Sequence, residues 1–585
     1  MIKLSDYIFT FLKEKGVQHI FMLPGGGAMH LVDSLGNSGI EYICVQHEQA
    51  AACAAEAYGQ HTNKPGVVLV TAGPGATNTI TGVAAGWIDS TPMFIISGQA
   101  KRADLIGEKG VRQIGNQEVR IVDIVKPITK YAVQILEPND IKYHLERAYY
   151  EACTGRMGPV WLDVPLDVQA TMVEEGELRS FTADVEQQYL WDKEIEKCIQ
   201  LIEESKKPLI LVGNGVKSAK AEEVLEKFLS KVNIPFCTTW KSLDMFDEEH
   251  PLYVGHPGGM GDRGANFILQ ESDLLIILGS RVDNSITAFN EENFAPKARK
   301  IIVDIDVNEI NKFSMLFEVS INDNVKYFLE QINKKIENVS FDAHTEWISH
   351  CKKTRKRYPV VLPENYAAKD RISVYYFIDI LCNFLNDQDV IVPESSGGAA
   401  EITCQAFRIK KGQKMKHAAG LGSMGFGLPY AIGSCIANNK RRTVLINGDG
   451  AFQLNIQELE TLSRLKLPIK IFIINNGGYA SIRAMQRNNF AGHYVASDEN
   501  SGISMPNISR IAEAYGIRTW QVYSNQELDQ ILSTVFEDNE PGLCEMFTLP
   551  NETVSPRVKT ITLEDGTLIS SSLDNMWPFL DDRVN

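Results

Sequence analysis

Two strand ends near residue 450 carry the residue types that can hold a metal ion and a diphosphate. The segment "LINGDGAFQLNIQELETLSRLKLPIKIFIINN" begins at Leu445; it places Gly448-Asp449-Gly450 after one apolar run and Asn475-Asn476 after the next. Glycines let backbone amides approach an anion, and Asp449 offers a hard oxygen to Mg²⁺ or Ca²⁺. A turn followed by an unrelated strand cap is the alternative, but the pair at this spacing favours a metal diphosphate site.

The residues between the two strand ends predict a helix. Asn455 with Glu458 three residues later resembles a helix start, and the apolar positions that follow have helical spacing: Ile456, Leu459, Leu462 and Leu465. A strand, a helix and a second strand return the chain to the same edge of a parallel sheet. We therefore expect the amide oxygen of Asn476 to lie near Asp449.

Short apolar runs alternate with amphipathic stretches along most of the chain, which predicts an α/β fold with three doubly wound, mainly parallel sheets. We predict domains at 1–173, 190–345 and 370–550, a polar linker over 174–188, and a C-terminal tail at 551–585. The predicted strands are HIFML, EYICV, GVVLVTAG, MFIISG and VWLDVP, then PLILVGNG, DLLIILGS and KIIVDID, then DVIVPES, RTVLINGDG and IKIFIINN.

Composition points to small-molecule partners. The 585 residues carry a formal net charge of −16, which disfavours broad attraction to nucleic acid or anionic lipid. Ten cysteines without a C-x-x-C pair suit reduced, mostly buried thiols. The N-terminus lacks the pattern of a signal peptide, and no apolar run reaches about 18 residues. We expect a cytoplasmic protein that binds neither nucleic acid nor membrane.

The Gly-Asp-Gly to Asn-Asn signature resembles that of thiamine diphosphate enzymes, and "HAAGLGSMGFGLPYAIG" upstream resembles their acetohydroxyacid (acetolactate) synthase branch. The resemblance extends over about the first 550 residues in the same domain order. It implies a pyrimidine-binding domain, a central domain of nucleotide-binding type and a diphosphate-binding domain. The implied cofactors are thiamine diphosphate and Mg²⁺.

The resemblance also implies roles for individual residues of the third domain. Asp449, Asn476 and the backbone carbonyl of Gly478 would hold the metal, and Met424 would support the bent cofactor. The residues implied in cofactor binding are Ser396, Gly397, Gly398, Gly422, Met424, Gly448, Asp449, Gly450, Ala451, Asn476 and Gly478. Where this chain has Ser396 to Gly398, the family often has Gly-Gln-His.

Glu48, in "YICVQHEQAAACAAEAYG", follows a predicted strand and precedes an alanine-rich helix. A glutamate in that position is commonly a helix N-terminal charge and nothing more. The resemblance instead implies the family's catalytic glutamate, which also contacts the cofactor because it shares a proton with the pyrimidine ring.

The resemblance favours a carboligase that takes a two-carbon unit from pyruvate or a similar 2-oxo acid and transfers it to a carbonyl acceptor. Simple decarboxylases carry a histidine pair in the first domain, whereas the five histidines here are not adjacent: His19, His30, His47, His61 and His144. Gly26 in "LPGGGAMH" and Gln117 in "GNQEVRIVDIVKPITKYA" are the implied catalytic and substrate-pocket residues, with Lys130 nearby. The alternatives are a decarboxylase, lyase or oxidase with the same cofactor, or a binding protein without turnover.

Two departures argue against a housekeeping synthase. Met485 stands where such enzymes have a tryptophan that helps to select the acceptor, and Leu166 replaces the lysine of Pro-Lys-Asp-Val. A flexible methionine predicts a more adaptable substrate pocket. The tail "PRVKTITLEDGTLISSSLDNMWPFL" also differs, and it is more similar to relatives whose acceptors include keto sugars.

The central segment offers a site for FAD. "LVGNGV" and "GHPGGMGDRGAN" are glycine-rich loops, and Asp304 and Asp306 at the end of "KIIVDID" could meet a ribose. "LGSRVDNS", with Arg281, resembles the synthase flavin segment. The resemblance further implies a homodimer or homotetramer in which Glu48 of one chain serves the cofactor held by Asp449 and Asn476 of another.

Overall fold

The computed structural model describes residues 1–184, 190–562 and 568–580. The chain is an α/β protein with three parallel sheets, each flanked by helices, as the alternation of apolar runs predicts. The predicted linker over 174–188 lies partly outside the described residues.

The N-terminal sheet has six parallel strands and contains all five predicted ones. Their spatial order is Glu41–Cys44, His19–Met22, Gly66–Val70, Met93–Gln99, Pro159–Pro165 and Tyr131–Gln134. The helices are Leu4–Glu14, Met29–Ser38, Glu48–Thr62, Pro74–Asn78, Ile80–Ile88, Ile121–Val125, Ile141–Cys153 and Leu166–Gln169. Tyr131–Gln134 was not predicted, because this half-buried edge strand lacks an apolar run.

The central sheet has five parallel strands in the order Phe236–Thr238, Pro208–Val212, Leu274–Leu278, Arg299–Asp304 and Val319–Asn322. Its helices are Asp192–Glu204, Asn214–Ser218, Glu222–Val232, Arg263–Glu271, Asn284–Thr287, Val307–Asn311, Val325–Lys335 and Thr345–Arg357. The two outer strands are the short ones that the sequence did not predict. The inner strands are buried along their length, which explains their continuous apolar sequences.

The C-terminal sheet has six parallel strands in the order Lys414–Met415, Val390–Pro393, Thr443–Gly448, Ile469–Asn475, Gly542–Phe547 and Arg518–Val522. Its helices are Pro363–Tyr366, Val374–Phe384, Gly397–Ala406, Gly427–Ala437, Asp449–Phe452, Glu458–Leu465, Ala480–Asn489, Ile508–Ala514 and Asn525–Val535. The three predicted strands are the second, third and fourth of the six, and the inner strand Gly542–Phe547 was not predicted.

In all three sheets the order of strand addition reverses at the same position. Numbered within each domain, the first and third sheets both have the order 2-1-3-4-6-5, and the central sheet has the order 2-1-3-4-5. Each sheet therefore has a switch point between its first and third strands, where ligands of doubly wound folds bind. The loops that follow those strands touch: Gly27 N donates to Thr71 Oγ1 (3.0 Å) in the first domain, and Gly215 N donates to Gly279 O (2.9 Å) in the central domain.

Two helices join the first and third domains within the chain. Glu48–Thr62 packs against Gly427–Ala437, and side chains of both helices belong to one hydrophobic core. A Cβ placed on Gly433 would lie 2.1 Å from the carbonyl oxygen of Ala54, so the helices approach too closely for any larger residue there. The small residues of "EQAAACAAEAYG" serve this close packing.

The predicted helix start at Asn455 and Glu458 is wrong in its details. A 3-10 turn covers Gln453–Asn455 and the helix begins at Glu458. The Asn455 amide donates to Gly425 O, and the Glu458 carboxylate accepts from Gln46 N (2.9 Å), so tertiary contacts occupy both side chains. The apolar spacing is confirmed, with Leu459 and Leu462 buried.

The tail packs against the central domain. Thr560–Thr562 and Leu568–Ser570 pair as an antiparallel hairpin, and Val558 N donates to Gly259 O (2.7 Å). Arg263 donates to the carbonyls of Met576 and Pro578. Eight of the ten cysteines are buried, and all ten are free thiols. Within the described ranges, no helix has the length and apolarity needed to cross a membrane.

Candidate functional site

The two strand ends at Asp449 and Asn476 meet, as the sequence predicts. Thr443–Gly448 and Ile469–Asn475 are paired neighbours, with Gly448 opposite Ile474. Asp449 Oδ2 accepts the backbone N–H of Gly477 and of Gly478, each at 2.9 Å, and Oδ1 accepts that of Gly450 at 2.8 Å. The carboxylate thus ties both loops together at the edge of the sheet.

Asp449 is almost fully buried, at 1% exposure. Burial raises the pKa of its carboxyl to about 6, although the amides of Gly478, Gly450 and Gly477 and the charge of Arg483 act in the opposite direction. Among the described residues, no group of three His, Cys, Asp or Glu side chains could enclose a metal. One carboxylate with amide and carbonyl oxygens suits Mg²⁺ that also takes phosphate oxygens.

Several loops at the carboxyl edge of the third sheet contain glycines with open Cβ positions, and we call these loops the cradle. A Cβ added to Gly448 or Gly477 would meet nothing within 4 Å, and at Gly397 it would meet only Ser481 Oγ, at 3.6 Å. Gly422 is nearly as open, with Ala419 O at 3.7 Å. Ser396 precedes the ten-residue helix Gly397–Ala406 without capping it through its side chain. Open space beside backbone amides fits a diphosphate.

The other predicted residues of this domain differ in burial and in how much space surrounds them. A Cβ on Gly450 would lie 2.3 Å from the Tyr479 ring, so this position requires glycine. Gly398 continues the helix that begins at Gly397, and Ala451 is buried in Asp449–Phe452. Met424 is 38% exposed and Met485, on the helix Ala480–Asn489, is 50% exposed. Both methionines therefore have side chains accessible from outside the chain.

Glu48 lies at the carboxyl edge of the first sheet, where it begins the helix Glu48–Thr62. Asn78 Nδ2 donates to its Oε2 at 2.9 Å. A Cβ placed on Gly75 would come within 3.7 Å of Oε1. Asn78 therefore holds one oxygen of the carboxyl, and the glycine leaves room at the other.

Gln117 is close to this group and has a left-handed backbone, with φ of 59°. A Cβ on Gly73 would lie 2.6 Å from Gln117 O, which places the glutamine beside the loop that reaches Glu48. The neighbouring Glu118 carboxylate is buried and accepts the N–H groups of Ile106 (2.5 Å), Ile114 (3.1 Å) and Gly115 (3.2 Å). Its hydrogen bonds hold the loop that presents Gln117.

Gly26 begins the 3-10 turn Gly26–Ala28 and has open space around its Cα. Its neighbour Gly25 packs on Thr71, where a Cβ would come within 2.5 Å of the threonine side chain. Gly26, Glu48 and Gln117 thus share the switch-point edge of the first sheet. Lys130 instead donates to the carbonyl of Thr154 (2.6 Å).

The two groups of site residues touch only indirectly within the chain. Glu458 accepts from Gln46 N, and Asn455 Nδ2 donates to Gln49 Oε1 at 3.2 Å. In the part of the chain that the structure describes, no hydrogen bond or ion pair joins Glu48 to Asp449 or Asn476.

A cavity of about 930 Å³ lies where the three domains meet. It opens at the switch point of the central sheet and includes Gly215, Gly279, Arg281 and Asp304 in its wall, and it reaches Ser396, Gly397 and Gly422 of the cradle. Asp306 is not in this wall; its carboxylate pairs with Arg156 (2.8 Å) and caps the next helix.

Four residues of the site were not predicted from the sequence. Asn78 and Glu118 hold the Glu48 and Gln117 groups, Arg483 contacts the Asn476 loop, and Glu394 accepts from Gly427 N (2.9 Å). Glu394 carried a usable signal, since an acid directly follows the apolar strand at the switch point. The other three depend on contacts between separate loops, which a linear pattern does not reveal.

Comparison with known proteins finds three family models in this order along the chain. They are the N-terminal thiamine pyrophosphate (TPP) binding domain of thiamine pyrophosphate enzymes at residues 2–119, the central domain at 195–332 and the C-terminal TPP binding domain at 396–546. The acetolactate synthase large subunit of Cyanidium caldarium is 33% identical, with 94% of each chain covered. The acetolactate synthase isozyme 2 large subunit of Escherichia coli (strain K12) is 31% identical, covering 95% of this chain and 97% of that protein.

Proposed function

Since this chain belongs to the thiamine pyrophosphate enzymes, we propose that it is an acetolactate synthase-like carboligase that depends on thiamine diphosphate and Mg²⁺. It would decarboxylate pyruvate or a similar 2-oxo acid and transfer the two-carbon unit to a carbonyl acceptor. The observation that carries this proposal is the buried Asp449 carboxylate, which joins the Gly477–Gly478 loop beside an open glycine cradle.

Asp449, Asn476 and Gly478 are the proposed metal-holding residues. Their oxygens would leave the other positions around Mg²⁺ to a diphosphate, and the cradle from Ser396 to Gly398, at Gly422 and from Gly448 to Ala451 would hold that group. When bound, thiamine diphosphate supplies an electron sink for the pair of electrons released as a 2-oxo acid loses carbon dioxide. Met424 would pack against the cofactor.

Glu48 is the proposed proton-transfer residue. Its Oε2 accepts from Asn78, so Oε1 is the atom available to exchange a proton. Gly26 and Gln117 lie at the same edge and would face the substrates. The left-handed backbone of Gln117 costs energy in a non-glycine residue, and such strain is common where a side chain must be aimed at a ligand.

We propose an acceptor larger than a simple 2-oxo acid, with keto sugars as the candidate class. The support is Met485, whose exposed, flexible side chain can adapt to different acceptors. Incubation with pyruvate, alone and with a panel of keto sugars, tests both whether the protein is a carboligase and which acceptor it uses. Acetolactate or a branched sugar product supports carboligation, whereas acetaldehyde or peroxide as sole product would indicate the decarboxylase or oxidase alternative.

We propose that FAD occupies the large cavity. Arg281 and Asp304 line it beside the touching glycines Gly215 and Gly279, at the position where doubly wound folds bind dinucleotides. Asp306 would hold the first domain through Arg156 and would not contact the ribose. Flavin absorbance bands in the purified protein test this assignment directly.

We further propose domain boundaries at 1–173, 190–345 and 370–550, a homodimer or homotetramer as the working assembly, and a cytoplasmic location. Among the described residues Glu48 makes no hydrogen bond to Asp449 or Asn476, and a site shared between two copies would bring the two groups together. Eight buried free thiols suit a reducing compartment.

A further inference from the structure

Arg483 is a buried arginine whose partners are almost all carbonyl oxygens. It lies in the first turn of the helix Ala480–Asn489 and is 5% exposed. Nη1 donates to Ser497 O (2.9 Å) and Gly477 O (3.3 Å), and Nη2 donates to Asn476 O (2.8 Å) and Pro550 O (2.8 Å). Among the described residues, no carboxylate forms an ion pair with it. Burying a guanidinium on neutral acceptors is costly, so its position calls for an explanation.

The loop Asn476–Gly478 presents its two kinds of backbone group to different partners. Gly477 and Gly478 have φ of 76° and 129°, and their N–H groups reach Asp449 Oδ2. The carbonyls of Asn476 and Gly477 are held by Arg483. Within the described part of the chain, the Gly478 carbonyl accepts no hydrogen bond. Of the three loop carbonyls, that of Gly478 is therefore the free one.

We propose that Arg483 is a positioning residue that decides which oxygens of this loop can reach the cation. By holding the carbonyls of Asn476 and Gly477, it leaves the Gly478 carbonyl and the Asn476 amide oxygen as the available ligands. Its contact with Asn476 Oδ1 is long, at 3.4 Å, so that oxygen keeps capacity for a metal. This inference rests on the proposed metal diphosphate site.

The arrangement has a consequence for the choice of cation. Mg²⁺ demands a compact, near-octahedral set of ligands, whereas Ca²⁺ takes more oxygens at longer and more variable distances. A loop that offers few oxygens in fixed positions favours Mg²⁺. Release of the two carbonyls held by Arg483 would add ligands and freedom, and both changes favour Ca²⁺ relative to Mg²⁺.

Titration of the full-length, metal-free protein tests this role. Thiamine diphosphate binding is measured by equilibrium dialysis at graded MgCl₂ or CaCl₂ for wild type, Arg483→Lys and the control Arg487→Lys, an exposed arginine on the same helix. Lysine keeps the charge, but one ammonium group cannot reach four carbonyls. We expect Arg483→Lys to raise the half-saturating Mg²⁺ concentration about tenfold or more and that of Ca²⁺ less than about threefold, with Arg487→Lys unchanged.

Each outcome decides the question. An equal loss for both cations would indicate general damage to the loop and overturn the proposal, as would no loss in either titration. If wild type binds the cofactor without any metal, both the proposed metal site and the role of Arg483 are wrong. If wild type needs the metal and Arg483→Lys shows the same metal dependence as wild type, the role of Arg483 alone is wrong. Far-UV circular dichroism checks folding, and if Arg483→Lys does not fold, Arg483→Gln, whose amide can hold one carbonyl, undergoes the same titrations.

Discussion

At the scale of single residues, the site depends on side chains that hold other groups in place. Asn78 donates to Glu48, Glu118 gathers three backbone N–H groups next to Gln117, and Arg483 binds the carbonyls beside Asp449. Each of them fixes the direction in which a reactive or ligating group can point. Hydrogen bonds of this kind, to charged groups, are the strong ones in proteins.

Changes at Asn78 test how Glu48 is held. Asn78→Asp places a second carboxylate where the amide now lies 2.9 Å from Glu48 Oε2. The like charge repels the Glu48 carboxylate and also removes its hydrogen-bond donor, so we expect kcat to fall about a hundredfold, further than for a neutral replacement. Asn78→Ala removes the donor without adding charge and should lower kcat about tenfold with little effect on cofactor binding.

The exposed Asn37→Ala serves as the control and should leave kcat unchanged. If the kcat of Asn78→Asp equals that of wild type, Asn78 does not hold the Glu48 carboxyl in its working position.

At the scale of elements, one pair of helices determines how the first and third domains sit together. Glu48–Thr62 carries Glu48 at its first residue and packs on Gly427–Ala437, so its placement also sets the position of the proposed catalytic carboxyl. Small residues allow the approach, and Gly433 lies directly against the backbone at Ala54.

Gly433→Ala should therefore destabilise the protein. The added methyl group would lie 2.1 Å from the carbonyl oxygen of Ala54, and the helices must separate to admit it. We expect a loss of about 1–3 kcal/mol, as for other overpacked positions, seen as a lower thermal midpoint. Gly36→Ala is the matched control, because Gly36 is exposed in the helix Met29–Ser38 with nothing within 4 Å of its Cβ position. That change should stabilise slightly, since alanine favours helix; equal midpoints for the two variants would contradict the packing argument.

At the scale of the whole molecule, buried acids make stability depend on pH. Burial raises the pKa of Glu56, Asp262 and Glu394 to about 7. The folded protein binds these protons more tightly than the unfolded chain. The stability that they contribute is therefore complete below the pKa of the same groups in the unfolded chain, and it is lost as the pH rises through about 7. Buried His256 and His417, with pKa lowered to about 4 and about 3, act oppositely, but their effect is complete by about pH 6.5.

We therefore expect the thermal midpoint of the cofactor-free protein to decrease as the pH is raised from 6.5 to 8.5. Glu394→Gln removes one of these titrations and should reduce the loss of unfolding free energy over this pH range by about 1 kcal/mol. Glu537→Gln, an exposed acid of the same domain, should reproduce the wild-type curve. A Glu394→Gln curve parallel to that of wild type would show that Glu394 does not hold a proton in the folded state.

The assembly of the site is tested by mixing inactive chains. In the proposed dimer, Glu48 of one copy serves the cofactor held by Asp449 and Asn476 of the other. Glu48→Gln should bind the cofactor without turnover, and Asp449→Ala should lose cofactor affinity. After subunit exchange, some mixed sites would contain both intact residues, so activity should reappear at up to about a quarter of the wild-type level per site. No recovery, with exchange verified by mass, would place both residues of one site in a single chain.

The sequence by itself determined the class of fold and the meeting of the strand ends at Asp449 and Asn476. Inner strands such as Leu274–Leu278 are buried on both faces and read as unbroken apolar runs, whereas edge strands such as Tyr131–Gln134 and Lys414–Met415 lack that signal. The approach of Asp449 to the Asn476 loop was predictable because neighbouring parallel strands end at the same edge. The role of Glu48 stays a prediction from family resemblance, because no local pattern separates this residue from an ordinary helix start.

The tertiary structure decided the contacts that act across separate segments. Asn78 reaches Glu48, Arg483 reaches Ser497 and Pro550, and the tail at Val558 reaches Gly259, all through loops whose positions follow from packing and not from local periodicity. Asn455 and Glu458 also show that tertiary contacts can override a local sequence signal. Their types favour a helix cap, but a buried carboxylate and amide take the stronger tertiary partners at Gln46 and Gly425, because leaving those groups unpaired inside the protein would cost more than the cap returns.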